Sequence, residues 1–206
     1  MDATFAIAAT LAIKDMAGLL TPRSATVLVE ALRQKFPTTP IHVHTHDSAG
    51  LGVASMLAAR QAGADFVYGA VDAMSGLTSQ PSLGAIAEAV PEVGLDGDAY
   101  AKVSSYWDDV RATLYAPFES GQLATASDVH SHEIPGGQYT NLLFQSRQLG
   151  LDGQFDAVKI AYAAANRLLG DIPKVTPSSK VGGDLAQFMV ANKLREEDVD
   201  TCLLYT

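Results

Sequence analysis

The chain of 206 residues has little cysteine, little tryptophan and few basic side chains. It contains one cysteine and one tryptophan, and its 14 Lys and Arg residues are outnumbered by 23 Asp and Glu residues. A single cysteine cannot build a disulfide framework, which fits a reducing, cytoplasmic compartment. The formal net charge of −9 disfavours a nucleic-acid-binding surface, because such a surface needs clustered positive charge.

Sequence features of several other protein classes are also missing. No apolar run is long enough to span a membrane, and the first residues lack the basic region of a signal peptide. There is no internal repeat, and no glycine-rich loop has the spacing that binds phosphate. The whole chain is 48% hydrophobic and 18% charged, a composition typical of globular proteins.

The first part of the chain alternates short apolar runs with helical patterns. We predict strands at residues 10–13, 40–46 and 64–68. We predict helices from Thr21, where threonine precedes proline, and over residues 50–62 and 82–90. Alternation of strands and helices with short connections predicts a parallel α/β sheet. The pattern alone fits either a doubly wound sheet or part of a (β/α)8 barrel.

The pattern changes after Pro91. Helical patterns separated by glycine-rich loops follow, at residues 100–115, 138–149, 155–169 and 183–192. We therefore divide the chain into a βα segment, residues 1–92, and a mostly helical segment, residues 93–206.

The strand HVHTHD at residues 42–47 carries the sharpest chemical signal. Because side chains alternate along a strand, we expect His42, His44 and His46 to share one face. Two imidazoles near the carboxyl end of a parallel strand can bind one metal ion, and barrel enzymes build their active sites at that end. The alternative is a polar strand end with hydrogen-bonded histidines.

Lys14 and Thr176 are weaker candidates when considered alone. Lys14 ends the first predicted strand, where lysine usually extends its charged group into water. Burial would instead favour the neutral amine, which can react with CO2 to form a carbamate that binds metal. Thr176 precedes proline, which is typical of an extended turn, and no catalytic base is evident beside it.

Five segments in order resemble the carboxyltransferase part of pyruvate carboxylases. They are residues 13–20 (IKDMAGLL), 44–47 (HTHD), 72–81 (DAMSGLTSQP), 133–142 (EIPGGQYTNL) and 175–180 (VTPSSK). The His-x-His strand is shared with a superfamily that includes hydroxymethylglutaryl-CoA lyase and isopropylmalate synthase. The two later segments narrow the resemblance to biotin-dependent enzymes. Oxaloacetate decarboxylase alpha subunits and transcarboxylase subunits are the alternative within that group.

The resemblance implies a fold and a role for each candidate residue. The fold would be the C-terminal part of a TIM barrel followed by a helical subdomain. His44, His46 and the carbamate of Lys14 would bind zinc or manganese. Thr176 would move a proton between pyruvate and biotin. The biotin pocket would be lined by Gln138, Ser179 and Lys180.

The resemblance also implies parts that these residues do not supply. The three strands would be the last three of eight barrel strands, and the earlier ones would carry an aspartate ligand and a pyruvate-binding arginine. Other domains would use ATP and carry biotin, and the full-length enzyme would be a homotetramer. We expect the isolated chain to be marginally stable, because an open parallel sheet exposes apolar surface, and to be inactive. A non-catalytic metal-binding or assembly module is the rival interpretation.

Three single positions, the first nine residues and the last five residues depart from the family pattern. Tyr68 stands where we expect an acidic residue, His130 where tyrosine is more usual, and Gly182 where valine is more usual. Residues 202–206, CLLYT, also depart from the pattern, and we interpret them as an artefact tail.

Overall fold

The sheet at the start of the chain is parallel and three-stranded. The structure is a computed structural model that describes residues 9–119, 124–175 and 177–199. Strands β1 (Leu11–Asp15), β2 (Ile41–Thr45) and β3 (Phe66–Val67) lie side by side in chain order. Helices α1 (Pro22–Lys35) and α2 (Gly52–Gln61) connect them, and α3 (Leu83–Ala89) follows. The predicted parallel α/β arrangement is confirmed.

The two faces of this sheet differ in their environment. Ile41 and Val43 are fully buried against the helices, in a core that includes Val29 and Met56. The opposite face carries the paired residues Lys14 and His44 and the paired residues His42 and Phe66. Phe66 is 52% exposed, so the described residues leave this second face open. The candidate ligands therefore lie on the open face.

Helix α1 begins where the sequence predicts. The Thr21 side chain accepts a hydrogen bond from the Ser24 backbone N–H at 3.2 Å, and the Ser24 hydroxyl in turn accepts one from the Thr21 N–H at 2.9 Å. Pro22 occupies the first turn, where its missing N–H costs nothing. This reciprocal cap fixes the turn that links β1 to α1.

The second half of the described chain is helical. It contains α4 (Gly97–Val110), which continues as a π-helical turn (Arg111–Tyr115), then α5 (Val129–His132), α6 (Gly136–Gln148), α7 (Phe155–Leu168) and α8 (Ser178–Ala191). The last three pack around a second core that includes Leu142, Val158, Tyr162, Ala186 and Met189. The predicted helical patterns are confirmed in type, and the division at residues 92 and 93 stays a prediction.

Two helices differ from the sequence prediction. Helix α8 begins at Ser178 instead of residue 183, because its contacts with α7 outweigh the low helix propensity of Gly182 and Gly183. Helix α5 was not predicted, since its four residues are too few to show helical periodicity. Within the described ranges, no helix has the length and apolar character needed to cross a lipid bilayer.

Candidate metal centre

The carboxyl end of β2 brings two histidines together. His44 lies on the open face of the sheet, directly beside Lys14 of β1. The rings of His44 and His46 are 5.2 Å apart between centroids and are inclined at 63°. His46 lies one residue beyond the end of β2, so the predicted strand extends one residue too far at each end.

His42 is occupied by other partners. Its Nδ1 is hydrogen-bonded to the Tyr68 hydroxyl at 2.8 Å, and its ring stacks on Phe66 at 4.3 Å between centroids. Tyr68, at the position where we expected an acidic side chain, thus bonds to His42, and its ring centroid is 6.2 Å from that of His44. The structure separates His42 from the candidate metal ligands.

The environment of His44 favours a neutral ring with a free nitrogen. Burial lowers its pKa, and electrostatic interactions with His46 and Lys14 lower it further, while Asp15 opposes them. Its Nε2 is buried and has no hydrogen-bond partner among the described residues. A buried polar atom without a partner costs about 1–3 kcal/mol. Coordination of a metal, which requires the neutral ring, would satisfy this nitrogen.

His46 is oriented by a backbone carbonyl. Its Nδ1 lies 2.5 Å from the Thr78 carbonyl oxygen, which can only accept, so Nδ1 donates and Nε2 takes no part in this hydrogen bond. Metal-binding histidines are commonly held in this way by the ring nitrogen that does not bind the metal. No local sequence pattern points to Thr78, because the two residues are separated by 32 positions.

Asp15 holds the loop that follows β1. Its Oδ1 accepts hydrogen bonds from the N–H groups of Gly18 at 3.0 Å and Leu19 at 3.1 Å. Its Oδ2 accepts from the Leu20 N–H at 2.8 Å and from the Thr45 hydroxyl at 2.6 Å. The carboxylate thereby joins the ends of β1 and β2, a structural role that no local sequence pattern predicts.

Two glycines allow backbone to approach His46. A Cβ atom on Gly18, whose φ is +80°, would lie 2.6 Å from the His46 carbonyl oxygen. A Cβ atom on Gly136 would lie 2.5 Å from His46 Nδ1 and would also overlap the Thr78 carbonyl. The Gly136 N–H donates to the Met16 carbonyl oxygen at 2.7 Å. The start of α6 is therefore packed directly against the candidate metal ligand.

Lys14 is exposed in the described part of the chain. The desolvation expected to favour its neutral amine is therefore not supplied by these residues, because the face of the sheet that carries Lys14 is open. Across the described ranges, no three His, Cys, Asp or Glu side chains are close enough to hold a metal ion. The two histidines and Lys14 would form only part of a coordination sphere.

The residues predicted to bind biotin lie on α6 and α8. Gln138 is in the first turn of α6, and its Nε2 would be 2.9 Å from a Cβ atom on Gly183 of α8. Ser179 lies one helical turn before Gly183 and is buried, whereas Lys180 is exposed. The structure thus places Gln138 beside α8, and Thr176 lies outside the described residues.

Comparisons with known proteins cover both halves of the chain. The HMGL-like family matches residues 2–100, and the conserved carboxylase domain family matches residues 129–203. Pyruvate carboxylase of Schizosaccharomyces pombe is 58% identical over 194 residues, which are 92% of this chain and 16% of that protein. The chain belongs to the pyruvate carboxylase family. The mouse protein named "Pyruvate carboxylase, mitochondrial" is 53% identical over 196 residues, which are 92% of this chain and 17% of that protein.

Solved structures identify the part of a pyruvate carboxylase that the chain matches. The carboxyltransferase domain of Rhizobium etli pyruvate carboxylase is 51% identical with a TM-score of 0.90, and the match covers 95% of this chain and 33% of that domain. Related structures contain pyruvate, or pyruvate and biocytin. The chain is a partial TIM barrel of the carboxyltransferase domain, as predicted. It spans about one sixth of the curated relatives' length.

Proposed function

We propose that this chain contributes to a carboxyltransferase centre that moves CO2 from carboxybiotin to pyruvate and forms oxaloacetate. The observation that supports this most directly is the state of the two histidines. His44 has a buried Nε2 without a partner in the described chain, and the Thr78 carbonyl holds His46 with its own Nε2 free. Both histidines thus have a nitrogen suited to a metal ion at the open face of the sheet.

The chain's own residues have distinct roles in this proposal. His44, His46 and the carbamate of Lys14 would hold zinc or manganese, which would supply Lewis-acid polarisation of the pyruvate carbonyl. Thr176 carries a proton from the methyl carbon of pyruvate to N1 of biotin. The side chains of Gln138, Ser179 and Lys180 hold the ring of biotin. Family resemblance supports the roles of Lys14 and Thr176.

The proposed partners follow from the same assignment. Pyruvate and oxaloacetate are the substrate pair, a biotin carrier domain delivers carboxybiotin, and the ATP-using step belongs to another domain. A homotetramer is the proposed assembly of the full-length protein. An oxaloacetate decarboxylase or transcarboxylase subunit is not favoured, because the relatives reported above are pyruvate carboxylases.

A chimera of a full-length relative tests the proposed function. In this full-length chimera, the matching residues of Schizosaccharomyces pombe pyruvate carboxylase are replaced by this chain. We expect oxaloacetate formation that depends on ATP, bicarbonate and pyruvate. Thr176→Ala should lower the rate by roughly 10²–10⁴-fold, the usual contribution of a proton-transferring group. Coupled oxidation of NADH by malate dehydrogenase measures the rate.

Thr113→Ala is the matched control for this substitution. Thr113 is exposed on the π-helical turn, and among the described residues its hydroxyl bonds to the Asp109 carbonyl oxygen at 2.6 Å. It should leave the rate unchanged. A biotinylated, folded chimera that forms no oxaloacetate would argue against the function, and parental rates in Thr176→Ala would argue against the proton-transfer role.

Adjacent glycines of α8 are expected to respond differently to alanine. A Cβ atom on Gly182 would lie 3.6 Å from the Tyr162 ring, an ordinary contact, whereas one on Gly183 would lie 2.9 Å from Gln138 Nε2 and 3.2 Å from Leu142. Gly182→Ala should stabilise the fold by about 0.5–1 kcal/mol, since alanine favours helix. Gly183→Ala should gain less or destabilise, because Gln138 must move.

Thermal unfolding of a domain chimera measures both changes. This domain chimera is the carboxyltransferase domain of Rhizobium etli pyruvate carboxylase in which the matching residues are replaced by this chain. A higher melting temperature for Gly183→Ala than for Gly182→Ala would contradict the packing of Gln138 against α8.

A further inference from the structure

His132 is a buried histidine to which the proposed reaction gives no role. It is the last residue of α5 and is 6% exposed. Its Nδ1 lies 3.0 Å from the backbone nitrogen of Ile134, in a buried position. Because a backbone N–H can only donate, Nδ1 must accept this hydrogen bond, so the ring carries its proton on Nε2.

The bond from Ile134 fixes a short loop that leads to the candidate metal centre. Ile134 is buried in the second core, and Glu133 has a left-handed φ of +55° and forms an ion pair with Lys174. Gly136 follows and packs against His46. The loop is thus held at one end by His132 and meets a candidate metal ligand at the other.

The same loop sets the position of Gln138. Gln138 lies two residues after Gly136, within the first turn of α6, and reaches towards Gly183 of α8. A shift of residues 133–135 would therefore move both the group packed on His46 and a predicted biotin-binding side chain.

Burial favours the neutral form of the His132 ring, in which Nδ1 can accept a hydrogen bond. Burial lowers its pKa, an effect that Asp128 opposes, that Lys159 strengthens and that Glu133 opposes. Asp128 Oδ1 is 3.8 Å from Nε2, and Lys159 of α7 is bonded to Asp128 and to Asp156 at 2.8 Å each. From α6, the Tyr139 ring faces His132 at 5.9 Å between centroids. Protonation of Nδ1 would turn it from an acceptor into a donor that faces another donor.

We propose that His132 is a positioning residue of the carboxyltransferase centre. Its Nδ1 anchors the loop at residues 133–135 and so places Gly136 against His46 and Gln138 beside α8. The effect of this placement on the reaction rate rests on the proposed function. The anchoring of the loop by His132 does not depend on it.

Two amide substitutions of His132 test whether the position of its hydrogen-bond acceptor matters, and not only the presence of a polar side chain. In His132→Asn the side-chain oxygen can occupy the position of Nδ1 and accept from Ile134, whereas in His132→Gln the amide reaches the position of Nε2 instead. His130→Gln is the matched control, since His130 is exposed on the same short helix. All three are made in the domain chimera and in the full-length chimera.

Hydrogen–deuterium exchange of residues 133–138 in the domain chimera gives a reading that is independent of activity. His132→Gln should speed exchange roughly 10-fold, the effect of losing one buried hydrogen bond, while His132→Asn and His130→Gln stay close to the parent. In the full-length chimera, kcat should fall roughly 10-fold in His132→Gln and recover in His132→Asn, with the KM for ATP unchanged in both.

The comparison between the two amides decides the outcome. Equal exchange and kcat in His132→Asn and His132→Gln, whether both parental or both impaired, would overturn the proposal. A lower melting temperature of His132→Gln supports the proposal only together with faster exchange of residues 133–138, because glutamine also adds a methylene group to a buried site. If the parent full-length chimera forms no oxaloacetate, the proposed function fails, and the exchange rates still test the anchoring.

Discussion

Replacement of His46 by alanine should remove bound metal from the full-length chimera and reduce oxaloacetate formation by at least about 100-fold. Groups that merely orient a metal ligand contribute up to about this factor, and loss of the ligand itself should cost no less. The hydrogen bond from His46 to the Thr78 carbonyl also fixes the ring's orientation, and the substitution removes both the ligand and this contact. Elemental analysis of metal per subunit and the coupled rate assay measure the two effects.

His42→Ala is the matched control. His42 belongs to the same strand, but its Nδ1 bonds to Tyr68 and its ring stacks on Phe66. We expect full metal content in this variant. If His42→Ala lost as much metal as His46→Ala, or if neither lost any, the assignment of ligands would be wrong.

Substitution of Gly136 by alanine is expected to damage the centre without altering any polar group. The new Cβ atom would lie 2.5 Å from His46 Nδ1 and overlap the Thr78 carbonyl, so the histidine or α6 must move. Such overpacking typically costs about 1–3 kcal/mol. We expect a lower melting temperature of the domain chimera and a weaker affinity for the metal, measured by titration with a competing chelator.

Gly137→Ala provides the comparison one residue later. A Cβ atom there would meet nothing within 4 Å, and the residue is exposed in the same helical turn. Alanine should therefore be neutral or stabilising by up to about 1 kcal/mol. Equal metal affinity and stability in the two variants would show that the close approach of α6 to His46 is not required.

Local sequence patterns were sufficient to locate most of the fold. The apolar run at residues 40–46 became β2 (Ile41–Thr45), and the amphipathic pattern at residues 155–169 became α7 (Phe155–Leu168). Both segments bury a consistent set of side chains, so local periodicity and tertiary packing favour the same structure. Helix α8 is the exception, because contacts with α7 extend it through two glycines.

In the candidate site too, some features follow from the sequence and others only from the tertiary structure. The sequence by itself determined that Lys14 and His44 lie side by side, because parallel strands joined by short connections bring their carboxyl ends to one edge of the sheet. The family resemblance pointed to Gln138 and Ser179, and the structure placed them at the starts of α6 and α8.

Only the tertiary structure decided which atoms of these residues are available. In the structure, His42 is hydrogen-bonded to Tyr68, and His44 Nε2 has no partner among the described residues. His46 is hydrogen-bonded to a backbone carbonyl 32 positions away. The tertiary structure also packed Gly136 on His46 and used His132 to hold the loop before it. Hydrogen bonds and close contacts between distant segments depend on how helices and strands pack, and no local periodicity records that packing.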